Sequence, residues 1–579
     1  MYGERPTPYI FHTQISKCDA RPRSVVLAIT LMSSQKMENS VWTSEKVVLS
    51  PYKDIEVPKL TVDQYTFRNL DKWASKTAVV CGLTNRSYTY EQVYKNSRIF
   101  AVNLRKKFNI KDGDTIAVLL PNIPEYPIIT FGILAAGGVV TTMNPIYTAY
   151  EIERQILLSD TSLIITNEDL VPKVKEALTL AKKEFPIISL NITQSPTEGT
   201  ISYKELVEDN HANLSVLNEV NRSYNDIALL PFSSGTTGLP KGVQLTNRNI
   251  VSNCEQQNTE IRQYEYSTES HQDSTLVILP MFHSYGLSSC MLHKLSVGLR
   301  LVTLPKFQPD TLLNALLVHR PQLLYLAPPM ILFLGSYPQV TAKHLENVTC
   351  VTSGAAPLPS ADIQRLYEKA ERDIPFCQGY GMTEASPAVS ATRKGEKTSE
   401  NVGYALPNIS LRIVDADMKN LGPGEVGELL VKGPNVMKGY LKNPQANSEV
   451  FVDEDWLRTG DLAKIDETGL ITISDRLKEL IKVKGYQVAP AELENVLKEH
   501  PAVLDAAVIG IPDPVTGERP IGFVVFKPGV KATDTEIIEF ASKRVAPYKK
   551  IQQITFLNEI PKNATGKILR KSLKEKFCK

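Results

Sequence analysis

The sequence predicts an α/β protein, with a large N-terminal domain of βα-layered sheets and a small α+β C-terminal domain. Three observations predict it. The chain has 579 residues, more than one hydrophobic core usually serves. Between about 60 and 475, short apolar runs alternate with helical segments, as in βα units around buried sheets. Beyond 475 the pattern changes to a compact unit of about a hundred residues with its own helix and strand signals.

Taken in order, residues 1–57 lack periodicity and read as a disordered N-terminal extension. Residues 1–36 mix Arg5, Arg21, Arg23 and Cys18, and Met37 begins a more ordinary N-terminus. They read as an extension or an upstream start, with a mitochondrial presequence as the alternative. Strands follow at 78–80, 114–120 and 163–166, with a helix over 125–136 that ends at Gly137-Gly138. Later strands are expected at 276–279, 323–326 and 349–352. A strand over 470–474 closes the large domain, 58–475, and the small one occupies 476–579. There Pro490 opens a helix over 490–497. Apolar strands at 506–511 and 521–526 come next, and Thr533 with Glu536 forms a capping box for a helix through 545.

A net charge of +2 gives no reason to invoke nucleic acid. No apolar run approaches the roughly 18–20 residues of a membrane span. Seven scattered cysteines, never spaced as C-x-x-C, argue for a reducing compartment and against structural zinc. The cytoplasm fits best, with peroxisome and mitochondrion as alternatives, although the C-terminus is not Ser-Lys-Leu.

The chemistry concentrates first in Ser233-Ser234-Gly235-Thr236-Thr237-Gly238-Leu239-Pro240-Lys241-Gly242. Three glycines, four hydroxyls and a lysine make a loop whose N–H groups can converge on a polyphosphate. The Walker spacing does not fit, because the lysine follows proline and precedes glycine. A solvent-exposed linker is the bland reading, but linkers rarely run through Leu-Pro-Lys-Gly-Val into a strand.

These ten residues resemble the phosphate-binding signature of the adenylate-forming (acyl-activating) superfamily. Further matches stand in the family's order: Tyr380-Gly381-Met382-Thr383-Glu384, Gly427-Glu428-Leu429, Trp456-Leu457-Arg458-Thr459-Gly460-Asp461, Asp475-Arg476-Leu477-Lys478, Lys482 with Lys484-Gly485-Tyr486, and Pro561-Lys562 through Gly566-Lys567. The resemblance runs from about residue 58 to the end and is closest to 4-coumarate–CoA ligase-like and firefly-luciferase-like acyl-CoA synthetases.

What the resemblance implies joins what the residue types can do. Thr236, Thr237 and Lys241 suit the β- and γ-phosphates of ATP, with Ser233, Ser234, Gly235 and Gly238 in the same loop. Thr383 suits the α-phosphate, and Glu384 can hold Mg²⁺. The resemblance places Gly354, Ala355, Ala356, Gln378, Tyr380, Gly381 and Met382 about the nucleotide, and Asp461 on the ribose hydroxyls with Arg476 assisting. His283 resembles the histidine that lines the acyl cavity. Lys567, which alone reads as a solvated tail charge, resembles the lysine that bridges substrate carboxylate and α-phosphate. It belongs to a C-terminal domain implied to be mobile, pivoting at Lys478, with Lys482, Lys484 and Gly485 facing the site for thioester formation.

The expected function is therefore an ATP- and Mg²⁺-dependent ligase joining a carboxylic acid to CoA through an acyl-AMP. The acid is read as aromatic or medium-to-long-chain, and an amino acid is not expected because no Asp stands near His283 to hold its ammonium. Cys377, Ser386-Pro387-Ala388 and Ala355-Ala356 depart from the pattern of plant 4-coumarate ligases, while Asn247 replaces the family's common His and Ser474 its usual apolar residue. The chain ends about a dozen residues after Lys567, so free CoA rather than a carrier protein is expected as acceptor. A luciferase-type monooxygenase and a nucleotide-binding pseudoenzyme are the alternatives.

Overall fold

The computed structural model describes residues 41–190, 197–233, 240–259, 267–356, 358–396, 401–476, 479–483, 486–513, 516–545, 547–563 and 566–577, with backbone alone at 475, 476, 482, 486 and 487. Two nine-stranded sheets dominate. In the first, Thr115–Leu119 runs parallel to both Val139–Thr142 and Thr161–Asn167. In the second, Arg300–Thr303, Ser274–Val277, Leu323–Leu326, Cys350–Ser353 and Phe376–Gly381 lie side by side and parallel. The helix Glu125–Ala135 is apolar on every face and buried throughout, which fixes it inside the core rather than on it.

A six-stranded sheet carries Val426–Lys432 and Trp456–Ile465. Its edge corrects the N-terminal expectation. Residues 41–57, read as part of the extension, contribute the strand Val48–Leu49, which pairs antiparallel with Ser410–Val414 and buries Val41 and Val48. Residues 1–40 lie outside the described residues. The strand expected at 276–279 is Ser274–Val277 instead. It stops early because the Asn122 amide, not a neighbouring strand, donates to the carbonyls of Val277 and Leu279.

The last sheet has five strands, led by the hairpin Val503–Asp513 with Gly517–Phe526 and packed on helices Pro490–Lys498 and Asp534–Ser542. Asp505 of that hairpin takes Lys562 at 2.6 Å and Lys498 at 3.2 Å. Among the described residues no helix is long and apolar enough to cross a membrane.

Candidate active site

Parallel strands leave their carboxyl ends free for binding. Here Cys350–Ser353 and Phe376–Gly381 end side by side on a cavity of about 680 Å³, whose wall also takes in Ser233, Lys241, His283 and, from the far end of the chain, Asn563 and Lys567. The glycine-rich run is followed by the strand Lys241–Thr246, not by a helix. Ser233 pairs antiparallel with Lys241 at the start of that strand, so the strand register itself sets where the lysine emerges.

Past Phe376–Gly381 the chain must turn sharply. A Cβ on Gly381 would stand 2.1 Å from the Pro387 carbonyl oxygen, so glycine is required for the turn that presents Met382, Thr383 and Glu384. The Thr383 and Ser284 hydroxyls lie 3.0 Å apart. Glu384 is buried, and its Oε1 accepts from the Tyr440 hydroxyl at 2.9 Å. Burial, then the charge of Glu384, raises the Tyr440 phenol well above its ordinary range, so it stays protonated and donates. Lys241 Nζ stands 4.8 Å from the centre of the Tyr440 ring. Ser233 and Ser353, both on the cavity wall, have buried hydroxyls without a partner among the described residues. Such atoms are open to a water or to a polar ligand.

On the other wall Tyr380 donates to Asp461 Oδ2 at 2.6 Å. Asp461 lies in Trp456–Ile465, one residue after Gly460, whose φ of +70° is a left-handed conformation suited to glycine. Glu428 holds that bend: Oε1 accepts from the Gly460 N–H at 3.2 Å, and Oε2 takes Arg458 at 2.6 Å.

His283 is half-buried against the cavity. Desolvation pushes its imidazole down to about 4, and Nδ1 accepts from the Tyr285 N–H at 3.3 Å, leaving the hydrogen on Nε2. The next segment, Tyr285–Leu292, is a π-helix, closed by the His293 N–H donating to Ser288. Such turns favour functional sites because they re-aim side chains.

Lys567 is tied back to Asn563. Its N–H donates to Asn563 Oδ1 at 2.9 Å, and the Asn563 N–H returns to its carbonyl at 2.9 Å. Gly566, at φ +83°, leaves room for Pro329, whose Cδ would stand 2.6 Å from a Cβ there.

Of the residues expected from sequence, Ser233, Lys241, His283, Gly354, Ala355, Tyr380, Gly381, Met382, Thr383, Glu384 and Lys567 meet around this cavity. Asp461 reaches it through Tyr380. Gln378 sits a step back, buried in its strand, where its N–H donates to Thr392, and Ala356 is not on the wall. Ser234, Gly235, Thr236, Thr237, Gly238, Lys478, Lys484 and Gly485 lie outside the described residues, as do the side chains of Arg476 and Lys482. Sequence reasoning missed Tyr440, Ser284, Glu428 and Arg458, although the last two stand inside motifs it quoted. No cluster of three potential metal ligands occurs among the described residues.

Residues 66–441 match the family model described as AMP-binding enzyme, and 492–567 match that of the AMP-binding enzyme C-terminal domain. The chain is 36% identical to 4-coumarate–CoA ligase 3 of Oryza sativa subsp. japonica, over 93% of this chain and 96% of the relative. It is 37% identical to 4-coumarate–CoA ligase 3 of Arabidopsis thaliana, over 92% and 94%. Among solved structures, it resembles the anthranilate CoA ligase AuaEII in complex with anthranoyl-AMP, with a TM-score of 0.81, 25% identity and coverage of 90% and 98%. It also resembles a benzoate CoA ligase from Burkholderia xenovorans LB400, with a TM-score of 0.78, 25% identity and coverage of 89% and 99%. The chain belongs to the AMP-binding enzyme family, and within it to the adenylate-forming acid–thiol ligases.

Proposed function

We propose that the enzyme converts an aromatic or medium-to-long-chain acid and ATP into acyl-AMP and pyrophosphate, and then passes the acyl group to CoA, releasing AMP. The observation that carries this reading is the convergence on one cavity of Lys567, Lys241, the Thr383–Ser284 hydroxyl pair and the Tyr380–Asp461 pair.

A carboxylate oxygen attacks the α-phosphorus and pyrophosphate leaves. Negative charge builds on the α-phosphoryl oxygens, and preorganised donors there are worth about 10²–10³ in rate each. Lys567 and the Thr383 hydroxyl supply them. Lys241 meets the departing phosphates. Asp461 accepts from the ribose hydroxyls, and Tyr380 bounds the nucleotide beside it. Mg²⁺ fits Glu384 with nucleotide oxygens: one oxygen of this buried carboxylate is committed to Tyr440 and the other bonds no group among the described residues. The ion would neutralise phosphate charge. His283 stays neutral on the acid side of the cavity. The C-terminal residues from 476 form the domain that brings Lys567 in and must withdraw it before CoA attacks.

CoA-dependent AMP release tests this against hydroxycinnamic, benzoic and hexanoic-to-octadecanoic acids. Release with one acid class is expected. Pyrophosphate exchange without thioester would overturn CoA as acceptor in favour of a luciferase-type fate, and ATP binding without turnover would leave a pseudoenzyme.

A further inference from the structure

Lys294 is only 1% exposed, and a buried ammonium is costly unless its surroundings compensate. Its Nζ stands 4.6 Å from the centre of the Tyr325 ring. It sits in His293–Ser296, which continues the π-helix, within electrostatic reach of Cys290 on that helix and Cys254 on Asn247–Gln257. Ser289 and Gln257, on the same two elements, line the cavity together with Tyr325. Lys294 therefore stands behind a wall of the site, with the Tyr325 ring in front of it. Tyr325 in turn meets Tyr285 edge-on, with centroids 6.4 Å apart and planes at 80°. The Tyr285 ring reaches within 3.5 Å of where a Cβ on Gly354 would be.

We propose that Lys294 is a positioning residue for acid selectivity, its ammonium holding the Tyr325 ring, and through it Tyr285, so that two aromatic walls present a fixed width to the acyl group. The inference rests on the reading that this cavity takes the acid. A desolvated cation on a ring face is held more firmly than one in water. A wall held in one orientation rejects acids of the wrong thickness by overpacking, whereas a loose ring yields to them.

The test measures kcat/KM for the preferred acid and a bulkier one, together with the KM for ATP. In Lys294→Met the preference should fall by about tenfold, while the KM for ATP moves by less than about twofold. Lys294→Arg and Tyr325→Phe, which keep cation and ring, should retain the preference. Tyr325→Leu should lose it, and adding Lys294→Met to Tyr325→Leu should cost nothing further. An unchanged preference in Lys294→Met or in Tyr325→Leu overturns the proposal. Should Lys294→Met fail to fold, equal preferences in Tyr325→Leu and Tyr325→Phe overturn it. A wild-type enzyme without acid-dependent exchange overturns the underlying reading instead.

Discussion

Tyr440 donates its hydroxyl to Glu384 at 2.9 Å while its ring lies 4.8 Å from the Lys241 ammonium. One side chain thus orients the candidate metal carboxylate and touches the candidate phosphate lysine. Partners that orient a ligand carboxylate typically contribute about 10–100-fold in metal affinity or activity. Tyr440→Phe should therefore raise the Mg²⁺ concentration for half-maximal pyrophosphate exchange by about tenfold. A Mg²⁺ titration of the exchange rate checks it.

Asp461 is buried and accepts from Tyr380. Asp461→Ala removes the proposed ribose acceptor together with the acceptor of the Tyr380 hydroxyl bond, a loss of about 1–3 kcal/mol. The KM for ATP should rise by about one to two orders of magnitude, and by less in Tyr380→Phe, which keeps the carboxylate. Initial rates against ATP concentration separate the two.

Lys567→Ala should slow acyl-AMP formation by about 10²–10³. Conversion of added acyl-AMP and CoA into thioester should survive, because the proposed role of Lys567 is confined to the first half-reaction. Stopped-flow analysis of each half-reaction tests the split.

The depressed imidazole of His283 links stability to pH. Unfolded, it takes a proton near 6.5, and folded, near 4, so between those values the unfolded chain binds more protons. Stability should fall as pH drops from about 6.5 towards 4. His283→Gln should shallow that slope and leave stability at pH 8 little changed, as denaturant midpoints across the range would reveal.

Much of the candidate site was legible, because the proposed chemistry demands fixed residue types within short motifs. Lys241, Thr383, Glu384, Asp461 and Lys567 each stand in such a run. What sequence does not carry is partnership across strands. Arg458 meets Glu428 because Trp456–Ile465 lies antiparallel to Val426–Lys432 with Arg458 opposite Leu430, a register the sequence does not print. Tyr440 reaches Glu384 from a two-residue strand paired to Lys241–Thr246, too short for any periodic signal. The Val48–Leu49 edge strand was hidden for the same reason. Lys294 reads as a surface charge on any one-dimensional scale, since its burial comes from elements distant in sequence.

The Lys562–Asp505 ion pair bears on the proposed withdrawal of Lys567. Lys562 stands five positions before it and is anchored to the long hairpin of the five-stranded sheet. Withdrawal of the backbone at 567, as proposed above, would then carry the five-stranded sheet with it. Turnover limited by this haulage would slow in proportion to the viscosity of the medium, whichever acid is loaded.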